Sequence, residues 1–334
     1  MGEPIRRIRS FSLRGARLGD KYEELMREHA KRFVIDIPAG DGVSTIAPDA
    51  RIDLAAEFGR QAPLIVEVGP GSGEQLTASA LTHPECNYLG LEAWAPGVAR
   101  CVKSAVTAGV DNVRIMQLDA AQGLPVLFSA ARSGSSINPP AAQVWTFFPD
   151  PWRKRKHRKR RIVSPEFAHI VAGVLADGGV WRLATDWENY AWQMRDVLVE
   201  SPWFDLDDSG INGAHDSIND GVDDLGIYSG GWASRWSERV TTRFEERGIE
   251  AGRHVYDLTA VRNSLAVDAV PIPEDPWVAA RERGEDVRAD QPGVTPQASS
   301  RSGWLKEQEA RAASSRSSVS LCDHVHTQEV SIDD

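Results

Sequence analysis

The sequence predicts an α/β fold built on a doubly wound, mostly parallel sheet. Three observations carry that expectation. Short apolar, β-rich runs alternate with helix-compatible stretches between residues 62 and 187. The first run ends in a glycine turn within "EVGPGSG" (67–73). Two further strand-like runs within 239–262, around a polar bend that contains glycine, predict a closing antiparallel hairpin.

The elements follow in order. "DKYEELMREHAKRF" predicts a helix inside an otherwise partly extended segment, residues 1–60. Strands are expected at "LIVEV" (64–68), "NYLGLEA" (87–93), "VRIMQLDA" (113–120), "VWTFFPD" (144–150) and "VWRLATDW" (180–187). Helices are expected at 73–82, 96–108, 165–176 and 188–199, and a surface loop at 129–143. From about residue 266 the chain is rich in Pro, Ser, Ala and charge with little apolar periodicity, which predicts a disordered tail. The expected organisation is a basic extension over 1–60, one α/β domain over 61–265 and a tail over 266–334. "CDHVH" (322–326) offers metal-ligand residue types, but it stands alone in that tail, so no metal site is expected.

Composition narrows the setting. No apolar run approaches the roughly 18 residues of a membrane span, and "MGEPIRRIRS" lacks the apolar segment of a secretory signal. Three cysteines, Cys86, Cys101 and Cys322, without paired spacing fit a reducing, cytoplasmic setting. The formal net charge is -10, yet residues 153–161 hold eight Lys/Arg and one His. Residues 1–35 form a second basic island, with nine Lys/Arg against five Asp/Glu. An acidic body with two basic islands attracts a polyanion at defined places and repels it elsewhere.

In an open parallel sheet, ligands bind beyond the carboxyl ends of the strands. Glycines 69, 71 and 73 give GxGxG, whereas the dinucleotide fingerprint is GxGxxG. An acid stands at each of four successive strand ends: Glu67 beside the glycine turn, then Glu92, Asp119 and Asp150. Glu92 is placed to accept from ribose hydroxyls and Asp119 from an adenine amino group. Asp150 lies in a rigid Pro-Asp-Pro setting directly before the basic run.

Together these residues resemble the class I S-adenosylmethionine-dependent methyltransferases, which implies a Rossmann-like, seven-stranded sheet. "FFPDPW", the K/R/H run ending "KRRIV", then "ATDW" and "TRFEERG" narrow the resemblance to the bacterial tRNA (guanine-N7)-methyltransferase family, from about residue 10 to about 262. The resemblance implies S-adenosylmethionine as cofactor, tRNA as partner and N7 of guanine-46 in the variable loop as target. It implies cofactor contacts at Glu67, Gly69, Gly71, Gly73, Glu92, Asp119 and Asp150, with Asp150 also catalytic. It places substrate contacts at Lys154, Asp186, Thr242, Arg243, Phe244 and Glu245. RNA contacts fall at Lys156, His157, Arg158, Lys159, Arg160 and Arg161. Arg243 stands where Lys is common in the family, and Trp94 where His is frequent. Neither DNA nor membrane is an expected partner, and a monomer is favoured.

The chemistry suits these residue types. Guanine N7 carries a lone pair and no proton, so its attack on a sulfonium methyl needs no general base. Alignment of nucleophile and methyl group can contribute about 7–11 kcal/mol. A fixed carboxylate can accept from guanine N–H groups and oppose the positive charge the purine acquires. Phosphate contacts from the basic run give position and salt-dependent affinity without reading bases. A methyltransferase acting on another RNA base shares the first half of this site. A noncatalytic RNA-binding protein on the same scaffold would lose the cofactor acids, and a nicotinamide enzyme would want GxGxxG.

Overall fold

The computed structural model describes residues 9–11, 18–129, 137–207 and 231–278. Two helices, α1 (Asp20–Phe33) and the short α2 (Leu54–Phe58), precede the sheet. Five alternating units follow: β1 (Leu64–Val68), α3 (Glu74–Thr82), β2 (Asn87–Leu91), α4 (Ala95–Ala108), β3 (Val113–Met116), α5 (Ala120–Leu127), β4 (Ala141–Phe147), α6 (Pro165–Val174), β5 (Leu175–Thr185) and α7 (Glu188–Val199). A 3-10 turn spans Arg155–Arg160, and β6 (Phe204–Leu206), α8 (Arg243–Glu250) and β7 (Tyr256–Arg262) complete the core fold.

The strands form one seven-stranded sheet in the order β3-β2-β1-β4-β5-β7-β6. β1 to β5 are parallel, and β7 runs antiparallel between β5 and β6. Every residue of β1 and β2 is buried, as expected of parallel strands covered by helices on both faces. The winding direction reverses between β1 and β4, which opens a crevice at their carboxyl ends. Trp145, Trp181 and Trp203 are fully buried. α6 starts sharply because Ser164 accepts from the Phe167 amide and Pro165 sits at its first turn.

Three features differ from the expectation. The 239–262 stretch holds one strand, not two: residues 243–250 are helical, and β7 pairs with β6 at 204–206. The helical signal was present as a Thr-x-x-Glu capping pattern, since the Thr242 hydroxyl accepts from the Glu245 amide at 3.3 Å. α5 forms despite Gly123 and the interior Pro125, with Asp119 capping its first turn. The 129–143 loop closes earlier than expected, as β4 begins at Ala141; residues 130–136 lie outside the described residues.

The flanking segments join the same core. After α1 the chain runs beside β3, with the Ile35 amide donating to the Ile115 carbonyl at 2.9 Å. Ile35, Ile46, Leu54 and Phe58 are buried. Beyond Ala266, Val267, Val270 and Trp277 pack against the core, and Trp277 Nε1 donates to Asp196 at 2.9 Å. Residues 279–334, including "CDHVH", lie outside the described residues. Among the described residues no helix is long and apolar enough to cross a membrane, and no cluster of three metal-ligating side chains occurs.

Candidate active site

The four acids lie along the carboxyl edge of β1, β2, β3 and β4, as their positions in sequence require. Glu67, on β1, is 4% exposed, and its Oε2 atom has no hydrogen-bond partner. Burial, reinforced by the charges of Glu92 and Glu74, pushes its carboxyl up to about 8 against the opposing amide of Leu76. Glu92 accepts from the Gly71 amide at 3.1 Å and the Trp94 amide at 2.9 Å. Burial raises its pKa while those two amides pull it down. Asp119 accepts from the Ala121 amide at 3.2 Å.

The glycine turn is backbone-determined. Gly69, Gly71 and Gly73 all have positive φ, at 70°, 58° and 74°. Gly73 has no alternative on a second count: a Cβ there would lie 3.1 Å from the Cys101 Cα and 3.2 Å from its sulfur. Ser44 reaches this edge from the N-terminal segment. At φ 57° it donates from Oγ to the Ala93 carbonyl at 2.7 Å and accepts from the Asp119 amide at 2.6 Å. It thus ties the ends of β2 and β3 together. No sequence pattern marked Ser44, since its role depends on two partners far along the chain.

Asp150 stands in a strained turn. Phe148 and Trp152, on either side of Pro149-Asp150-Pro151, have φ of 50° and 43°. The Phe148 amide donates to the Ala184 carbonyl at 2.7 Å, fixing one end of the turn. The Asp150 side chain reaches solvent, yet the protein atoms crowded around it raise its pKa, and the Arg160 charge opposes that rise.

The basic run does not present one uniform face. Arg153, Lys154, Arg155, Lys156 and Lys159 are exposed, while His157, Arg158 and Arg160 are half-buried. The Arg160 guanidinium stacks 3.5 Å from the Trp152 ring centroid and donates to the carbonyls of Arg9 and Phe11, both at 2.8 Å. Trp152 Nε1 donates to the Ser10 carbonyl at 2.8 Å, so residues 9–11 lie against the turn. Arg161 corrects the expectation of an RNA contact. It is 4% exposed and directed into the fold, because α7 offers acceptors on the inner side.

The 242–245 stretch folds over the glycine turn. The Arg243 amide donates to Glu74 at 2.9 Å. Phe244 is 54% exposed, and its ring lies 3.4 Å from where a Cβ on Gly71 would stand. Asp186 accepts from Arg253 at 2.7 Å, and α8 passes so close that a Cβ on Gly248 would meet its Oδ2 at 2.8 Å. Glu245 is a second correction: it is fully buried and not presented to a substrate. It pairs with Arg239 at 2.7 Å and Arg235 at 3.2 Å, and Arg239 also pairs with Asp257 at 3.0 Å. Burial pulls Arg239 down, but Asp257 and Glu245 together push it above its ordinary value, so it stays charged. Two surface concavities, around Ile52, Leu127 and Asn138 and around Phe58, Ala80 and Gly109, include none of these site residues.

This geometry can be set beside known proteins. A family model described as "Putative methyltransferase" matches residues 61–218. The tRNA (guanine-N(7)-)-methyltransferase of Cutibacterium acnes is 39% identical over 259 residues, covering 77% of this chain and 84% of that protein. The chain belongs to the tRNA (guanine-N7)-methyltransferase family. The tRNA (guanine-N(7)-)-methyltransferases of Paenarthrobacter aurescens and Methylococcus capsulatus are each 37% identical, covering 77% and 78% of this chain and 91% and 96% of those proteins. As a member of this family the chain is a methyltransferase. Its structure gathers Glu67, Glu92, Asp119, Asp150, Asp186, Thr242, Arg243 and Phe244 at one edge of the sheet, leaves Lys154 exposed after the Asp150 turn, and turns Arg161 and Glu245 inward.

Proposed function

We propose that this chain methylates N7 of guanine in tRNA, at position 46 of the variable loop, on cytoplasmic substrate. The observation that carries the reading is a row of four strand-end carboxylates ending at Asp150, directly beside an exposed basic turn. It is supported by relatives named tRNA (guanine-N(7)-)-methyltransferase over most of their length.

The residues present fit S-adenosylmethionine. The positive-φ glycine turn keeps side chains out of the crevice, and Glu92 retains acceptor lone pairs beyond the two amides it binds. Glu67, with an unpartnered buried oxygen, lies beside the turn as a carboxyl able to donate. Bound there, S-adenosylmethionine supplies an electrophilic methyl group on a sulfonium. Glu92 would hold the ribose and Asp119 the adenine amino group, while Phe244 overhangs the glycine turn. Asp150 accepts from the guanine edge and opposes the positive charge that develops on the purine. Lys154, Lys156 and Lys159 hold the phosphate backbone, and Asp186 lies at the neighbouring strand end. No residue needs to remove a proton from N7.

The test is nucleoside mass spectrometry of unmodified tRNA incubated with the protein and S-adenosylmethionine. The reading expects 7-methylguanosine, mapped to position 46. A methyl group on a different base or atom would replace it with the other-base reading, and no product would leave a binding protein.

A further inference from the structure

The geometry points to Arg161 as a positioning residue that holds the Asp150 turn in place, not as part of the RNA-binding surface. The inference deepens the function proposed above and rests on its assignment of Asp150. The last arginine of the basic run is the one that turns inward. Its Nε donates to the carbonyl of Pro151, the residue directly after Asp150, at 2.8 Å. Its Nη1 donates to Gln193 Oε1 at 2.6 Å, and its Nη2 to Asn189 Oδ1 at 3.0 Å. The guanidinium also lies 4.6 Å from the centroid of the Tyr190 ring. Asn189, Tyr190 and Gln193 lie within about one turn of α7, Tyr190 and Gln193 buried and Asn189 half-buried, so one planar fork joins the Asp150 turn to a packed helix.

The turn needs such a fastening. Two non-glycine residues with positive φ flank Asp150 within five residues. Backbone of that kind costs on the order of 1–3 kcal/mol per residue and persists only where surrounding contacts over-determine it. On the β4 side, the Phe148 amide bond to Ala184 supplies one contact. On the far side, the Pro151 carbonyl bond to Arg161 supplies another, beside the Trp152 indole bond to Ser10 and the Arg160 stack. The next residues continue the same fastening, since the Val163 amide donates to the Tyr190 hydroxyl at 3.1 Å. Arg160 and Arg161 therefore divide their labour: Arg160 faces the 9–11 segment and the solvent, Arg161 faces the helix.

A phosphate contact and a positioning contact predict different kinetics. Losing a phosphate contact weakens tRNA binding and lowers the salt slope. Losing the fastening leaves binding intact and slows methyl transfer at saturation, because a misplacement near 1 Å costs up to about 100-fold. The experiment compares Arg161→Met and Arg161→Lys with wild type and with Asp150→Asn. Single-turnover methyl transfer is measured at saturating tRNA and S-adenosylmethionine, with tRNA affinity measured across a salt series. We expect Arg161→Met to slow transfer by on the order of 10- to 100-fold, with Arg161→Lys between it and wild type. The salt slope should stay unchanged and tRNA affinity should remain within a factor of about two. Should Arg161→Met fail to fold, Asn189→Ala combined with Gln193→Ala frees the same fork and is expected to give the same signature. A wild-type transfer rate in these variants, or a reduced salt slope, would overturn the inference. If Asp150→Asn itself reacts at the wild-type rate, the failure lies with the role given to Asp150.

Discussion

Replacing Arg239 by Met should destabilise the fold far more than loss of a surface ion pair. Arg239 is 3% exposed and serves two carboxylates, Glu245 at 0% and Asp257 at 7% exposure. Breaking a buried pair from one side leaves uncompensated charge and costs about 3–5 kcal/mol. Arg235 remains beside Glu245 at 3.2 Å, which favours the lower half of that range. For a domain of this size the loss corresponds to roughly 6–16 °C in melting temperature. The pH dependence follows from Glu245, whose carboxyl burial already raises while Arg239 and Arg235 pull it down. Without Arg239 its folded pKa rises further above the unfolded value, so the variant loses stability relative to wild type as pH rises. Urea denaturation followed by tryptophan fluorescence at pH 5.5 and 8 should show the larger deficit at pH 8. A loss under about 1 kcal/mol at both, the scale of an exposed pair, would refute the view that this network is desolvated and anchors α8.

Two further outcomes concern the crevice and the basic turn. Lys156→Gln with Lys159→Gln, both exposed, should weaken tRNA binding and flatten its salt dependence by about 0.7–0.9 per lost phosphate contact; filter binding with an unchanged slope would make the turn a solvated face. Glu67 titrates near 4.5 unfolded and at about 8 folded, so wild-type stability falls as pH rises through that window. Glu67→Gln should remove this loss and gain in melting temperature over wild type from pH 5 to 8, and parallel profiles would mean that Glu67 is charged in the fold.

Much of this was legible in the sequence for a physical reason. Parallel strands buried on both faces appear as continuous apolar runs, so "LIVEV" and "NYLGL" reveal both the strand and the acid near its end. The glycine turn is legible because a positive φ beside Cys101 leaves glycine no alternative. The inward turn of Arg161 was not, because nine consecutive polar residues carry no periodicity, and the acceptors on α7 lie 28 and 32 positions away. Glu245 was read from its motif as a substrate contact, whereas its burial depends on Arg239 and Asp257, which become neighbours only after β7 joins the sheet. β6 has three residues, too few for an alternating pattern, so its partnership with β7 leaves no signal in the sequence.

The role of Asp150 is tested most directly by single-turnover methyl transfer in Asp150→Asn, with tRNA and S-adenosylmethionine both saturating. Asparagine keeps the shape and part of the hydrogen bonding of the side chain but removes its charge. The account predicts a rate lower by roughly two to three orders of magnitude, the scale of one preorganised electrostatic group. Affinity for tRNA should persist, because the exposed lysines that meet phosphate are untouched. An Asp150→Asn protein that forms 7-methylguanosine at the wild-type rate would contradict the account.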